Sequence, residues 1–165
     1  EKPVEKFKKY LVEVNPEVIG KLEQIGAQKD RIFQHFLKST PGWERRIRTR
    51  EKDGSVVCYY SEAYMVTPFT RVKRDRIISN GEYIDMTREI DTTLHPIDKT
   101  RYSFPYNDEY FKLDVFSFDQ TQGLLSVQMT DENMEVDVPE FFTVIKEVSD
   151  ILNYKNYHLA KSQKF

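Results

Sequence analysis

In the stretch WERRIRTREKDG, Glu44, Arg46, Arg48 and Arg50 fall at every second position. On a β-strand that spacing aims them all to one side, because successive side chains alternate across the pleat. Guanidinium groups sharing one face repel each other, so the face is either open to water or turned toward something anionic. Arginine suits the second task, since its planar fork grips phosphate oxygens bidentately and needs no metal to do so. The alternation recurs in Arg71, Lys73 and Asp75, in Lys99 and Arg101, and in Lys112 and Asp114. The opposite faces of these segments carry Ile47, Val72, Tyr102, Phe104, Phe111, Leu113 and Val115. A half-buried sheet with a wet, charged side explains the pattern. A closed barrel with inward charges explains it too, provided those charges are paired or neutralised by an anion.

Other reactive side chains carry less. His35, His95 and His158 are scattered without metal-ligand spacing and read as surface or packing histidines. Cys58 lies among apolar strand residues and reads as a small buried hydrophobe. The six glycines are dispersed and form no phosphate-cradling loop. Tyr59, Tyr60 and Tyr64 flank basic strands and offer stacking faces, but core packing is the simpler role for most aromatics here. The tract FTRVKRDR, residues 69–76, is the most basic segment and has the charge to dock a phosphoinositide headgroup, or to form a solvated strand face.

The elements that must position these groups are legible as a series of strands. Residues 6–14 and 31–39 read as strands, and NPEVIGKLEQIG between them as a helix capped by Asn15, with Pro16 in its first turn. WERRIRTRE and SVVCYYSEAYM form a hairpin across Lys52-Asp53-Gly54, and DKTRYSFPY and EYFKLDVFSF a second across Asn107-Asp108. Residues 69–79 and 123–130 add two more strands, and NGEYIDMTREID a short helix capped by Ser79 or Asn80. The spacing in DVPEFFTVIKEVSDI predicts an amphipathic helix over 137–151, followed by a tail. The sum is about eight mostly antiparallel strands with inserted helices, hence α+β or a decorated barrel.

The 165 residues suit one domain, 1–165, able to bury about 70% of its unfolded surface. With 25 basic against 27 acidic residues the net charge is -2, which speaks against a bulk-basic nucleic-acid binder, so no nucleic-acid partner is expected. One cysteine excludes an internal disulfide and suits a reducing, cytoplasmic setting, with peripheral membrane docking as a further expectation. No apolar run approaches the ~20 residues of a membrane span. The opening EKPVEKFKKY lacks a methionine, which points to a piece of a longer protein.

An early K-Y-L-V strand, then F-Q-H-F-L, the R-x-R strand, K-T-R-Y-x-F-P-Y, Y-F-K-L-D-V-F and G-L-L follow one another along the chain. This succession resembles the CYTH or triphosphate tunnel family, from about residue 5 to the tail. YIDMTREIDTTLHPIDKTRYSFPYNDEYFKLDVF and VPEFFTVIKEVSD look most like the C-terminal domain of the TRPL-translocation-defect group. The resemblance implies a closed antiparallel eight-stranded barrel with a charged tunnel and flanking helices. It also implies a tri- or polyphosphate ligand, Mg²⁺ or Mn²⁺, and an upstream P-loop domain in the parent chain. Carried over residue by residue, the phosphate-holding half persists in Arg46, Arg48, Lys99 and Arg101, with Arg50, Lys73 and Lys112 joining. The metal half is depleted. The family's E-x-E-x-K falls on Glu5, Phe7 and Lys9, and its late E-x-E on Gln128 and Thr130. Glu5 and Asp114, with Glu44, remain as metal ligands. The expectation is a phosphate-binding module for a nucleotide, polyphosphate or phosphoinositide with little or no catalysis. A metal-dependent triphosphatase is the alternative, and a structural domain with internal Arg–Asp pairs a third.

Overall fold

The computed structural model describes residues 4–67, 70–129, 134–150 and 154–165, and the side chains of all these except Val4 and Glu5. The chain runs β1 (Val4–Glu13), α1 (Pro16–Gln24), β2 (Gln28–Leu37), β3 (Trp43–Lys52), β4 (Ser55–Thr67) and β5 (Thr70–Ile78). It continues through α2 (Asn80–Met86), a 3-10 turn (Thr87–Glu89), β6 (Ile97–Tyr106), β7 (Glu109–Phe116), β8 (Asp119–Met129), β9 (Val144–Glu147) and α3 (Asn156–Ser162). All pairings are antiparallel in the order β5-β4-β3-β2-β6-β7-β8-β1. The ring closes where Val4, Glu5 and Lys6 of β1 meet Val72, Arg71 and Thr70 of β5. The result is a closed eight-stranded barrel with flanking helices.

Local chemistry accounts for the reversals. Asp53 and Gly54 have φ of 50° and 81°, and Asn107 and Asp108 have 47° and 62°. Both central residues of each hairpin turn therefore lie in the left-handed region, where Asn, Asp and Gly are tolerated and where the turn twist matches the strands. Asn15 caps α1, its Oδ1 accepting from the Val18 amide at 3.0 Å, and Ser79 and Glu82 form a reciprocal capping box at α2.

Each wall of the barrel is two-sided. The outward face of β1, β6, β7 and β8 presents Val12, Phe104, Phe111, Leu113 and Leu125 to Val18 and Leu22 of α1 and to Phe142. Around the other side Ile47, Cys58, Tyr60 and Ile78 pack beneath Tyr83 and Met86 of α2. The apolar faces anticipated opposite the charged ones are thus the outer faces.

Two expectations change. Residues 137–150 form no helix: the segment is irregular up to β9, which pairs with Tyr10, Leu11 and Val12 of β1. β5 pairs with β1 only as far as Lys6, so the next stretch of the same β1 edge offers free backbone groups, and the β-branched Val144-Ile145 fill it. Residue 151, the end of that expected helix, and Phe69 and Thr130, ends of expected strands, lie outside the described residues. The tail, in turn, is ordered. Helix α3 buries Leu159 and Ala160 completely against Leu11, Phe36, Ile97, Phe116 and Leu124, which lie on the lumen-facing sides of their strands. That packing closes one end of the barrel. Toward the other end Tyr110 and Ile77 are 45% and 69% exposed.

Candidate anion-binding tunnel

Register places the cations on one inner surface. Arg46 pairs across with Phe36 and Ser61, Arg48 with Gln34 and Tyr59, Arg101 with Asp30 and Asp114, and Lys112 with Ser103 and Ser126. Cross-strand partners project to the same face, so these side chains share the lumen. The charged face is enclosed: Arg46, Arg48 and Lys99 are only 3%, 7% and 2% exposed. Lys9, Arg71, Arg101, Lys112 and Asp114 line a cavity of about 90 Å³.

Three carboxylates organise part of this charge. Lys99 Nζ donates to Asp114 Oδ2 at 2.8 Å, and Arg101 grips the same carboxylate through Nε at 2.7 Å and through its terminal nitrogen at 3.0 Å. Those two cations hold Asp114 far below the usual carboxylate range despite its burial. Asp30, fully buried, is held by Arg50, whose Nε donates at 2.6 Å. Asp75 accepts from Ser61 and pairs with Lys73 at 3.1 Å and with Arg48 at 3.6 Å.

Among the described residues, the buried Nε atoms of Arg46 and Arg48 have no hydrogen-bond partner, nor does Nε2 of Gln34 between them and β6. Burial, with Arg71 close to Arg46 and Arg101 close to Arg48, pulls both guanidinium pKa values down to about 10, so both remain charged at neutral pH. Enclosure and the neighbouring Lys155 and Arg71 bring Lys9 down to about 7. Lys99 is lowered by burial while Asp114 opposes the shift. Buried donors without acceptors are rare in folded proteins, and each calls for an explanation such as an ordered water or an ion.

All seven anticipated anion-binding residues therefore line the lumen, though Arg50, Lys73, Lys99 and Arg101 are engaged by Asp30, Asp75 and Asp114, and Arg48 lies 3.6 Å from Asp75. Lys9 and Arg71 belong to the same lining; strand alternation marks Arg71, and the E-x-E-x-K position marks Lys9. Asp30 escaped notice because β2 begins at Gln28 and not at Arg31.

Of the anticipated metal ligands, the two whose side chains are described, Asp114 and Glu44, line different cavities. Both oxygens of Asp114 are engaged by Lys99 and Arg101. Glu44 is half-buried in a separate recess with Ala63, Tyr64 and Arg71. The Glu5 side chain, like Thr130, lies outside the described residues. Among the described residues no three His, Cys, Asp or Glu side chains gather as a metal site. Mg²⁺ and Mn²⁺ want an octahedral oxygen shell with carboxylates in it, and the described residues do not fit one.

No family model matches the sequence, and no curated protein does either. Solved structures do. The inorganic triphosphatase NE1496 superposes with a TM-score of 0.62 at 22% identity, over 96% of this chain and 95% of that one. The PH1819 protein of Pyrococcus horikoshii gives 0.58 at 15%, over 78% and 80%. HpAC1 of Hippeastrum, a putative adenylyl cyclase with dominant triphosphatase activity, gives 0.55 at 12%, over 77% and 80%. At such identities the likeness is one of fold: this chain shares the closed eight-stranded antiparallel barrel of these structures.

Proposed function

We propose that the barrel is a receptor for a phosphate polyanion such as tripolyphosphate, a longer polyphosphate or the triphosphate of a nucleotide, with little or no power to hydrolyse it. The carrying observation is the pair Arg46 and Arg48, adjacent on one strand face, buried and charged, each with an Nε that has no partner among the described residues and with Asp75 reaching only Arg48, at 3.6 Å. Like charges buried together are costly unless something neutralises them. Phosphate oxygens answer that need in the fork geometry arginine prefers.

Weak hydrolysis follows from the carboxylates. Asp114 is held ionised by two cations and is a poor general base, because its lone pairs are already committed. Asp30 and Asp75 are likewise tied to Arg50 and to Lys73. The second reading, a metal-dependent triphosphatase, is favoured by the activity named for NE1496 and HpAC1. A phosphorylated lipid headgroup shares the same chemistry, but the enclosed lumen favours a free anion.

Thermal unfolding with tripolyphosphate, followed beside phosphate release, tests the proposal. At about a hundred times its Kd the ligand should raise the melting temperature by roughly 5–10 °C. Arg48→Ala should abolish most of that rise, and little phosphate should appear. Rapid turnover would establish the triphosphatase reading instead, and no thermal response would leave a structural domain.

A further inference from the structure

We infer that the ligand is the triphosphate ester of a hydroxylated sugar, as in a ribonucleoside triphosphate, with its terminal phosphate near the floor and its sugar hydroxyls held by Asp30 and Ser103. This inference rests on the receptor reading and narrows its ligand.

Among the described residues, the buried polar atoms of the lumen that have no hydrogen-bond partner differ in kind along its length. Nearest the floor they are donors: Nε2 of Gln34 and Nε of Arg46 and Arg48. Gln34 lies opposite Ile97 on β6 and Arg48 on β3, and Arg46 lies opposite Phe36. Ile97 and Phe36 belong to the apolar cluster that α3 seals. Toward the mouth the kind changes. Oδ1 of Asp30 is an acceptor, and Oγ of Ser103 both donates and accepts. These two residues are 0% and 4% exposed, so bulk water does not satisfy them. Arg50 at 2.6 Å and Gln28 at 3.1 Å both donate to Oδ2 of Asp30, which leaves Oδ1 over.

Asp30 pairs with Arg101 across β2 and β6, and Ser103 with Gln28. The two are therefore diagonal neighbours on one face, at a spacing that a vicinal diol bridges. Phosphate oxygens answer the donors at the floor, and sugar hydroxyls answer the acceptors nearer the mouth. Asp30 and Gln34 stand four positions apart on one side of β2, roughly 13 Å at the rise of a strand. A triphosphate joined through a methylene to a furanose diol covers such a stretch. Bare polyphosphate fits the mouthward half poorly, because it sets a charged oxygen against the Asp30 carboxylate, and like charges repel strongly where water is excluded.

Calorimetric titration of the unaltered protein with ATP, 2′,3′-dideoxy-ATP and tripolyphosphate, in EDTA and again with Mg²⁺, tests this. ATP and its dideoxy analogue share phosphates and base, so their difference reads the hydroxyls alone. A site built to pair a hydroxyl discriminates against the analogue that lacks it, and a loss of about tenfold or more is expected. Ser103→Ala and Asp30→Asn should each shrink that gap. Ser103→Ala removes an oxygen that pairs with nothing among the described residues, so it decides the matter if Asp30→Asn fails to fold. Equal affinity for ATP and the dideoxy analogue, or binding of tripolyphosphate without ATP, overturns the inference and leaves the receptor reading standing. So does a gap that both folded variants preserve, since the hydroxyls are then held elsewhere. No binding of any of the three in either buffer overturns both.

Discussion

Lys9 shows how the lumen ties proton and anion together. It is walled in with Arg71 and Lys155 nearby, and its pKa falls from 10.5 to about 7. Between those values the unfolded chain holds the proton and the folded chain does not. Stability of the empty barrel therefore rises as pH climbs from about 7 toward 10.5, and this contribution is flat outside that window. Anion affinity runs the other way, since only protonated Lys9 attracts phosphate. Tripolyphosphate affinity should fall by about tenfold between roughly pH 6 and pH 8.5, the loss of one charge-assisted contact. Lys9→Met should remove the share of that dependence that belongs to Lys9, leaving that of Lys99, which burial also lowers to about 7, and the ligand's own titration. An identical pH profile in both proteins would show that Lys9 does not titrate against the ligand. At this scale much of the lining was legible, because alternation alone marks Arg46, Arg48, Lys99 and Arg101. Their partners were legible only in part. The Asn107-Asp108 turn sets Arg101 opposite Asp114, but that Asp114 also takes Lys99, and that Asp30 takes Arg50, depends on the assembled lumen.

Elements inherit their precision from a few close approaches. Gly123 of β8 lies opposite Val12, and a Cβ there would stand 2.9 Å from the Asp114 carbonyl oxygen and 3.0 Å from the Leu113 and Val14 side chains. Backbone and packed core cannot both give way, so Gly123→Ala should cost about 1–3 kcal/mol in denaturant unfolding. It should also disturb the strand that presents Asp114 to its two cations. An unaltered unfolding midpoint would mean that β7 and β8 slide apart freely. The hairpins show where sequence suffices: Asp53-Gly54 and Asn107-Asp108 name their own turns. The 137–150 segment shows where it does not. Val144, Ile145 and Val148 are spaced acceptably for a helix, yet β9 forms because the edge of β1 is vacant beyond Lys6. Val148 donates its amide to the Lys9 carbonyl at 2.8 Å, and Ser149 Oγ accepts from the Lys9 amide at 2.9 Å. That vacancy is a property of the assembled barrel and leaves no trace in local periodicity.

For the molecule as a whole, closure turns a charged sheet into a container, and the short β1–β5 ladder accomplishes it. The alternating faces fit an open sheet as well as a barrel, so closure was legible only through the ordered run of motifs and not through any one strand. The end seal was invisible, because Leu159 and Ala160 sit in a polar tail and acquire meaning only against Phe36, Ile97 and Phe116. Leu159→Ala should cost about 2–5 kcal/mol, as expected for a fully buried leucine, read by chemical denaturation. A loss below about 0.5 kcal/mol, typical of surface positions, would mean that α3 is not seated. Because α3 stoppers the tube, the lumen is a well with a floor. For the receptor proposed above, a linear phosphate chain then enters end-on and backs out through the doorway it came in by. Such a well samples chain termini, and the rest of a long polymer stays outside.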